Sequence, residues 1–470
     1  MLHVLTESGS LRFWISRRPS GCSAATDILP NLSFLSNRRY STGYIKLENR
    51  TKKKELLKLP ETKNQYLKAS DELFWSDKSF EQLKINQALQ KALSAVKIQK
   101  PTLVQELAIS AVLSKKYENL VLADQTGTGK TLAYLLPVLQ LVKEEEADGN
   151  VPTAKSRPRV VVLAPSRELS VQIGGVVKSL SHWLKLRCET IVGGECCVRT
   201  RKRMLNGSID VVTATPGTLM EHWERKRIYF SKVKYLIIDE ADTMMSNEAG
   251  FSKDVSGILS AIRKRLDTTK SSAQFIYVGA TLTKDVLSCF DVQSTKSKLI
   301  VSPSLHKVAS QLDQQWIDVS GDKKKRLLSI LKSIVPLGER IMIFCNTIAS
   351  CRYVDRLLIE SNFKSLCYHG SVPADLRAIN YNLYISGTRP IMVCTDVASR
   401  GLDLQGTKFV ILFDFPLNII DYIHRIGRTA RAGNTGKVFN FIMKRDRVLA
   451  NKIQLAMQKR EPLEGITSSK

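Results

Sequence analysis

The feature that most constrains this chain is a double series of short apolar runs, rich in Val and Ile, separated by longer helical patterns. The first series reads NLVLAD (119–124), RVVVLAP (159–165), DVVTAT (210–215), YLIIDE (235–240) and FIYVGAT (275–281). The second reads QQWIDV (314–319), RIMIFCNT (340–347), PIMVCTD (390–396), FVILFDF (409–415) and KVFNFIM (437–443). Continuous Val, Ile and Leu runs suit strands covered on both faces, as in a parallel sheet between helical layers. The expectation is α/β architecture twice over: two parallel-sheet domains in tandem. At 470 residues the chain exceeds one ordinary core, which agrees with two domains. The polar stretch SPSLHKVASQ (302–311) is the expected linker. Domain one is then placed at 76–301 and domain two at 312–450, with 451–470 as a C-terminal tail. EEEADGNVPTAKSRP (144–158) reads as a surface loop.

The first forty residues are a different kind of sequence, with five Arg against one Glu and one Asp, and many Ser. Their only compact apolar run, Leu11 to Ile15, contains Arg12 and is too short for a secretory core. Arg-rich, Ser-rich and acid-poor is the composition of a mitochondrial transit peptide. Arg38-Arg39-Tyr40-Ser41 also resembles a matrix-processing site, so 1–40 is expected to be such a peptide and the matrix the destination. A basic tail on a cytosolic or nuclear protein is the plainer alternative. Residues 41–75 are polar and Lys-rich, Lys52-Lys53-Lys54 among them, and read as a basic extension. No run approaches 18 uninterrupted apolar residues, so a spanning helix and a membrane partner are not expected. LAYLLPVLQLV (132–142) holds Pro137 and Gln140 and reads as a buried helix.

The net charge is +27. Removing residues 1–40 takes away five arginines and two acids, leaving +24 (27 less 3). Such an excess favours a polyanionic partner through counterion release and steering. The nine cysteines show no C-x-x-C spacing, so neither a zinc site nor a disulfide framework follows, and reduced thiols are the default.

Residues 122–134 read LADQTGTGKTLAY. Asn119 to Asp124 supplies a strand, Gln125 to Gly129 a turn, and Lys130 onward a helix. That order suits a phosphate-cradling loop, in which Thr126, Gly127, Thr128 and Gly129 offer backbone N–H groups beside a helix N-terminus. Lys130 can reach the β- and γ-phosphates and Thr131 can ligate Mg²⁺. Further on, YLIIDEAD ends a buried apolar run on two carboxylates, an arrangement that is costly without a partner cation. A Walker-B role assigns Asp239 to Mg²⁺ and Glu240 to polarising the attacking water.

Asp239-Glu240-Ala241-Asp242 spells the DEAD box. From about Phe80 to about Met443 the chain resembles the DEAD-box ATP-dependent RNA helicases of superfamily 2, of the mitochondrial type found in fungi. That resemblance implies two RecA-like domains joined by a short linker. Phe80, Lys100-Pro101-Thr102 and Gln105 look like the Q motif, in which the glutamine reads the adenine edge and the aromatic stacks on the base. Pro165-Ser166-Arg167-Glu168-Leu169, Gly193-Gly194 and Thr215-Pro216-Gly217 resemble the RNA-backbone motifs of the first lobe.

In the second lobe, Ile343-Phe344-Cys345-Asn346-Thr347, His369-Gly370 and Arg377 fall in the family's order. Thr395-Asp396 opens a stretch similar to the motif that touches RNA and, through Asp403, the ATP ribose. His424-Arg425-Ile426-Gly427-Arg428-Thr429-Ala430-Arg431 is similar to the arginine-finger motif. Its cations, Arg428 and Arg431 above all, would stabilise charge developing on the γ-phosphate. Three apart, these two arginines are expected to share one helix face toward the cleft. The bland alternative for Arg425, Arg428 and Arg431 is a solvated face.

Three positions depart from the family. Asp124 stands at the head of the loop where Ala or Gly is usual, and weaker ATP binding is expected unless its carboxylate points outward. Gly279-Ala280-Thr281 replaces Ser-Ala-Thr, which removes a hydroxyl from the motif linking the DEAD carboxylates to lobe closure. Ala374-Asp375-Leu376-Arg377 keeps the Arg but lacks the Gln of Q-x-x-R. The resemblance implies a monomeric Mg-ATP hydrolase that remodels structured RNA or RNA–protein complexes. The compartment adds mitochondrial ribosomal RNA, with ribosomal or assembly proteins, as the expected partner. An ATP-gated RNA clamp with little strand separation is the alternative, and a DNA helicase fits the charge but not the DEAD and Q motifs.

Overall fold

The computed structural model describes residues 74–470 except 117, 126, 148–154, 195–196, 206, 246–249, 283–285, 288–295, 303–311, 397–405, 431–434, 460–462 and 464–470. The expected transit peptide, nearly all of the basic extension and the linker beyond Ser302 lie outside the described residues.

Among the described residues, seven strands form the first sheet: β1 Asn119–Ala123, β2 Val160–Leu163, β3 Cys188–Ile191, β4 Val211–Ala214, β5 Tyr235–Asp239, β6 Gln274–Gly279 and β7 Ser297–Val301. Their order is β3-β4-β2-β5-β6-β1-β7, and every pairing is parallel. Six more form a second sheet: β8 Leu312–Asp318, β9 Arg340–Phe344, β10 Ser365–Tyr368, β11 Ile391–Cys394, β12 Thr407–Leu412 and β13 Gly436–Ile442. This sheet is also all parallel, in the order β10-β11-β9-β12-β13-β8. The two-domain parallel α/β fold is as the apolar runs require.

The alternation of side chains along each strand explains why the runs are continuously apolar. Leu120, Val160, Val162 and Ile237 face a layer containing helices Lys130–Ala147 and Arg167–Leu184. Val121, Val161, Leu163, Leu236 and Ile238 face the opposite layer, with helix Ser252–Thr269. Neighbouring residues thus belong to two cores, and a polar residue at either phase would be buried. The second sheet repeats the scheme, Met342 and Val410 on one side, Ile341 and Ile411 on the other.

Three strands have no counterpart among the apolar runs. β3 (CETI), β7 (SKLIV) and β10 (SLCY) are four or five residues long with polar interruptions. All three lie at sheet edges; β7 is largely half-buried, and in β3 and β10 the polar residues break the apolar run. Two further expectations are corrected. Glu144, Glu145 and Glu146 belong to the last turn of helix Lys130–Ala147 and not to a loop. They are held because Lys234 reaches Glu145 at 2.7 Å and buried Arg159 pairs with Glu146 and with Asp210. The boundary at 450 falls inside helix Arg447–Gln458, whose Leu449, Ala450, Ile453 and Ala456 recur at helical spacing and pack into the second domain's core with Leu463. At the other end, Phe74 O accepts from Leu103 N at 3.1 Å, and Trp75 pairs with Thr102.

Parallel strands point their carboxyl ends one way, and the chemistry-bearing loops leave from that edge. β6 alone separates β1 from β5. The phosphate-type loop and Asp239-Glu240 therefore emerge roughly 10 Å apart, two strand spacings.

Candidate nucleotide and RNA cleft

After β1 the chain turns through Gly127 (φ 87°) and Gly129 (φ 88°), left-handed geometry that glycine adopts without a Cβ clash. At Gly129 the need is also steric, because a Cβ would lie 2.4 Å from Gln105 Nε2. That glutamine clamps the loop: Nε2 donates to Gly129 O at 3.1 Å while Oε1 accepts from Thr102 N at 3.0 Å. Thr102 Oγ1 in turn donates to Thr128 O at 2.9 Å. Both ends of the Gln105 amide are thus engaged by protein in this structure, and Phe80, 5% exposed, packs in the core with Leu83 and Leu89. Gln105 and Thr102 brace the loop from behind. Thr126 lies outside the described residues.

Lys130 heads the following helix and folds its ammonium onto the loop, donating to Asp124 O at 2.6 Å and Gln125 O at 2.5 Å. Burial lowers its pKa, against the opposing pull of the carboxylates of Asp124, Asp239, Asp242 and Glu240. Asp124 does not point outward. It is 2% exposed, and its Oδ1 accepts from Gln125 N at 2.7 Å. Its own N–H donates to Gly279 O at 3.2 Å.

Asp239 ends β5 within this same cluster. Its Oδ2 accepts from Tyr134 OH at 2.9 Å and its Oδ1 from Glu240 N at 2.9 Å. Burial and then the Glu240 charge raise its pKa to about 6, with Tyr134 and Lys130 pulling the other way. Tyr134 is missed by sequence reasoning because it reads as part of an apolar run. Its position four residues after Lys130, on one helix face, is the available signal. Burial and then Asp239 raise the Tyr134 pKa, with Thr131 three residues earlier pulling the other way. Glu240 sits in left-handed backbone (φ 52°, ψ 47°), and its Oε2 is buried with no hydrogen-bond partner. A buried Asp239 beside a half-buried Glu240 with one unpartnered oxygen suits a cation and a polar ligand.

Asp242 is the hub between the two lobes. Its Oδ2 accepts from Ala280 N (3.1 Å), Thr281 N (2.9 Å) and Thr281 Oγ1 (2.8 Å). From the second lobe His424 Nε2 comes within 3.4 Å of the same oxygen. The link to the Gly279-Ala280-Thr281 stretch is therefore made without a hydroxyl at 279. A Cβ there would lie 3.0 Å from Thr281 O and 3.4 Å from Asp242 Cγ.

Arg425 and Arg428 are not part of a solvated face. Arg425 is 1% and Arg428 3% exposed. The guanidinium of Arg425 grips Asp396 with two bonds (2.7 and 2.8 Å) and also donates to Asn346 Oδ1 at 2.7 Å and Asp414 O at 2.8 Å. It braces the second lobe internally. The expected shared helix face of Arg428 and Arg431 is corrected: the helix Ile419–Ile426 is capped by Gly427. Arg428 lies in the turn beyond, with its N–H on Arg425 O at 3.2 Å and its Nε on His424 O at 3.2 Å. Arg431 and Asp403 lie outside the described residues.

The stretches expected to touch RNA follow strand ends in both lobes. Pro165 and Ser166 follow β2, and Ser166 Oγ caps helix Arg167–Leu184 by accepting from Leu169 N at 3.1 Å. Arg167 Nη1 donates to Gly193 O at 2.9 Å, beneath Gly194 (φ 81°). Thr215 precedes helix Pro216–Glu224, which carries Gly217. Asn346 follows β9, and Thr395 and Asp396 follow β11. Arg377 Nε lies 2.9 Å from Glu168 Oε1 of the first lobe, with side chains 13% and 17% exposed. That second cross-lobe contact joins two motif residues whose pairing no spacing or pattern foretells.

Two family models match: DEAD/DEAH box helicase over residues 102–289 and helicase conserved C-terminal domain over 322–433. DEAD-box ATP-dependent RNA helicase 39 of Arabidopsis thaliana is 40% identical over 395 residues, covering 83% of this chain and 63% of that protein. DEAD-box ATP-dependent RNA helicase 50 of the same plant is 30% identical, and 52% of its length is covered. The chain thus spans between half and two thirds of these relatives. Probable ATP-dependent RNA helicase DDX28 of Homo sapiens is 33% identical, covering 81% of this chain and 73% of that protein. Among solved structures, S. cerevisiae Dbp5 bound to RNA and ADP BeF3 superposes with a TM-score of 0.68 at 25% identity, over 81% of this chain and 93% of that one. Mss116p bound to ssRNA and AMP-PNP shares the fold (TM-score 0.72, 24% identity, 84% and 79% covered). With both lobes matched and a relative such as DDX28 covered over most of its length, this chain belongs to the DEAD-box helicase family.

Proposed function

We propose that the chain is an Mg-dependent ATP hydrolase that closes its two lobes on RNA and remodels structured RNA or RNA–protein complexes. The observation that carries this reading is the direct meeting of His424 with Asp242, three residues after the carboxylate that would hold the metal. Neither lobe has the whole site: the first supplies Lys130, Asp239 and Glu240, the second His424 and Arg428. ATP and RNA would each favour the joined state, so each strengthens binding of the other.

Thr131 and Asp239 would hold Mg²⁺, and the desolvated Asp239 pocket fits a hard cation. Bound there, Mg²⁺ would neutralise charge on the β- and γ-phosphates. The loop amides between Asp124 and Lys130 receive the phosphates, and Lys130 exchanges its carbonyl partners for phosphate oxygens. Glu240, with its unpartnered Oε2, orients the attacking water. Arg428, with Arg431, approaches the charge that develops on the γ-phosphate. Asp403 takes the ribose, and Gln105 reads the adenine by exchanging its bonds to Gly129 O and Thr102 N for the base edge. Phosphate and 2′-OH contacts from Ser166, Arg167, Gly194, Thr215, Gly217, Asn346, Arg377 and Thr395 imply weak sequence preference. The Arg- and Ser-rich first forty residues support a mitochondrial matrix location, where structured ribosomal RNA is the fitting substrate and ribosome assembly the setting.

The test is steady-state ATPase of the protein starting at Ser41, with and without structured RNA, beside Glu240→Gln. RNA-stimulated turnover lost in the variant is expected. Absence of turnover together with ATP-dependent RNA retention would replace the enzyme by an ATP-gated clamp.

A further inference from the structure

At the edge of the first sheet opposite the cleft, the segments before β2 and β5 enclose a basin of about 580 Å³. Five of its eight lining residues are cations (Lys155, Arg157, Arg225, Lys226 and Arg227) and none is acidic. Only Arg225 has a carboxylate partner among the described residues, Glu221 at 2.9 Å. Arg227 carries a buried Nη1 with no hydrogen-bond partner. Holding like charges together without counterions is unfavourable unless an anion joins them.

The basin is built rather than incidental. Tyr229 N donates to Ser156 O at 2.9 Å, Ser156 Oγ to Met204 O at 3.4 Å, and Lys155 bridges to Ser208. Three separate segments are thereby stitched into one wall. Ser156 (φ 56°) and Lys226 (φ 53°) both take left-handed backbone, which costs roughly 1 kcal/mol or more for a residue with a Cβ. On the rim the Arg157 guanidinium lies 4.6 Å from the centre of the Tyr229 ring and is fixed by a bond to Ser231 Oγ at 3.0 Å. Tyr229 remains 38% exposed. A cation-backed, exposed aromatic beside clustered cations is the chemistry that receives an unpaired base and its phosphates.

We propose that this basin is a second RNA-binding site, taking the phosphodiester backbone of an unpaired segment with a base on the Tyr229–Arg157 platform. It rests on the reading of the chain as an RNA remodelling enzyme and adds to it a grip outside the cleft. The motifs leave from the carboxyl ends of β1 to β5, whereas the basin precedes their amino ends. The four residues of β2 separate the two edges by about 13 Å. A short strand in the cleft does not reach the basin; a long structured RNA can fill both, and the two grips then reinforce each other through effective concentration.

The test uses the whole chain carrying Lys155→Glu, Arg157→Glu and Lys226→Glu, with two probes: a hairpin RNA with a long single-stranded tail, and an oligonucleotide only long enough for the cleft. Binding of the hairpin without nucleotide, followed by fluorescence anisotropy across a KCl series, is expected to weaken at least tenfold. The log–log salt slope should flatten by about 2, at roughly 0.7 for each single-strand phosphate no longer neutralised. ATPase stimulated by the short oligonucleotide should stay at the level of the unaltered protein. Hairpin affinity and slope equal to those of the unaltered protein would overturn the site. Failure of the oligonucleotide to stimulate the unaltered protein would instead remove the enzymatic reading, and anisotropy would still judge the basin. If the triple variant does not fold, photocrosslinking of the unaltered protein to a thiouridine-containing hairpin decides: a crosslinked Tyr229 peptide supports the site, and crosslinks confined to cleft peptides overturn it.

Discussion

His424 Nε2 of the second lobe stands 3.4 Å from Asp242 Oδ2 of the first, the two side chains 1% and 0% exposed. The separation is long for a hydrogen bond, so charge attraction holds the pair. Burial disfavours the imidazolium, but the Asp242 carboxylate and then Glu240 outweigh it and raise the His424 pKa. At Asp242, burial pushes upward, yet His424, Thr281 and Thr243 draw the carboxyl down to about 2.

A pH dependence of lobe closure follows. Asp242 stays ionised throughout the usable range, so His424 sets the window. With the lobes apart, the histidine regains an ordinary pKa of about 6.5. A group whose pKa is higher in the joined state supports that state fully below the ordinary value and stops doing so as pH rises through the raised one. With Mg²⁺ saturating, so that Asp239 stays ionised, the His424 contribution to RNA retention with a non-hydrolysable ATP analogue, read as the difference from His424→Gln, is therefore expected to be largest at about pH 6 and to decline on the alkaline side. His424→Gln should flatten the profile. An identical profile in the variant would remove His424 from the closure.

Asp124 offers a cleaner electrostatic test. Its carboxylate lies buried at the head of the loop with one oxygen on Gln125 N, facing inward where triphosphate charge would gather. At a separation of about 8 Å and an effective dielectric of about 20, one unit of like charge costs on the order of 2 kcal/mol before screening. Asp124→Asn keeps an acceptor for Gln125 and removes the charge; Asp124→Ala removes both. Both should tighten nucleotide binding, by roughly five- to tenfold for Asn, in a titration with a fluorescent ATP analogue. Unchanged affinity in both would show the carboxylate to be neutral toward the ligand.

The Gly279 position separates two accounts of the motif after β6. Three donors already converge on Asp242 Oδ2 from Ala280 and Thr281, and a Cβ at 279 would crowd Thr281 O at 3.0 Å. Gly279→Ser is therefore expected to leave the ratio of unwinding to hydrolysis within about twofold, because the added hydroxyl finds its acceptor occupied. Thr281→Val removes a bond to a buried anion, worth about 1.5–3 kcal/mol, and should lower that ratio at least tenfold. A large gain from Gly279→Ser would show instead that the missing hydroxyl weakens coupling.

Much of this is legible in the sequence because phosphate chemistry demands residues at fixed spacings after strand ends. Lys130, Asp239 and Glu240 can be read from glycines, a lysine and acids closing apolar runs. What escapes depends on distance in space. Nothing in the sequence distinguishes Arg425, wholly buried on Asp396 and Asn346, from Arg428 three residues on. Tyr134 hides in an apolar run because its hydroxyl has a partner 105 residues away. β10 escapes although Ser365, Leu366 and Tyr368 are buried, because Ser and Cys among four residues leave no continuous apolar run.

Arg425 lends itself to a stability measurement. Its guanidinium makes paired bonds to Asp396, and it also orders Asn346 and the Asp414 carbonyl. Arg425→Ala takes the cation away from a largely buried ion pair and strands its hydrogen-bond acceptors, a loss of about 3–5 kcal/mol. Arg425→Lys should recover only part, since an ammonium cannot make the paired bonds to Asp396. Urea unfolding monitored by Trp316 fluorescence checks this, Trp316 lying in the same lobe beside Tyr422. A lysine variant as stable as the unaltered protein would show that charge alone suffices.

Arg377 and Glu168 present the final question, because the arginine is expected to hold RNA yet lies 2.9 Å from a carboxylate of the other lobe. If the ion pair supports closure, removing either partner weakens analogue-dependent RNA binding, and removing the second adds little. If Arg377 acts on RNA alone, Glu168→Gln should be neutral or should strengthen binding by freeing the guanidinium. A double-mutant cycle with Glu168→Gln and Arg377→Gln separates the two. Both side chains are mostly buried, so a coupling of about 1 kcal/mol, or fivefold in affinity, is expected, falling with added salt. The nucleotide-free protein should show no such coupling, because the two lobes then have no reason to bring Glu168 and Arg377 together.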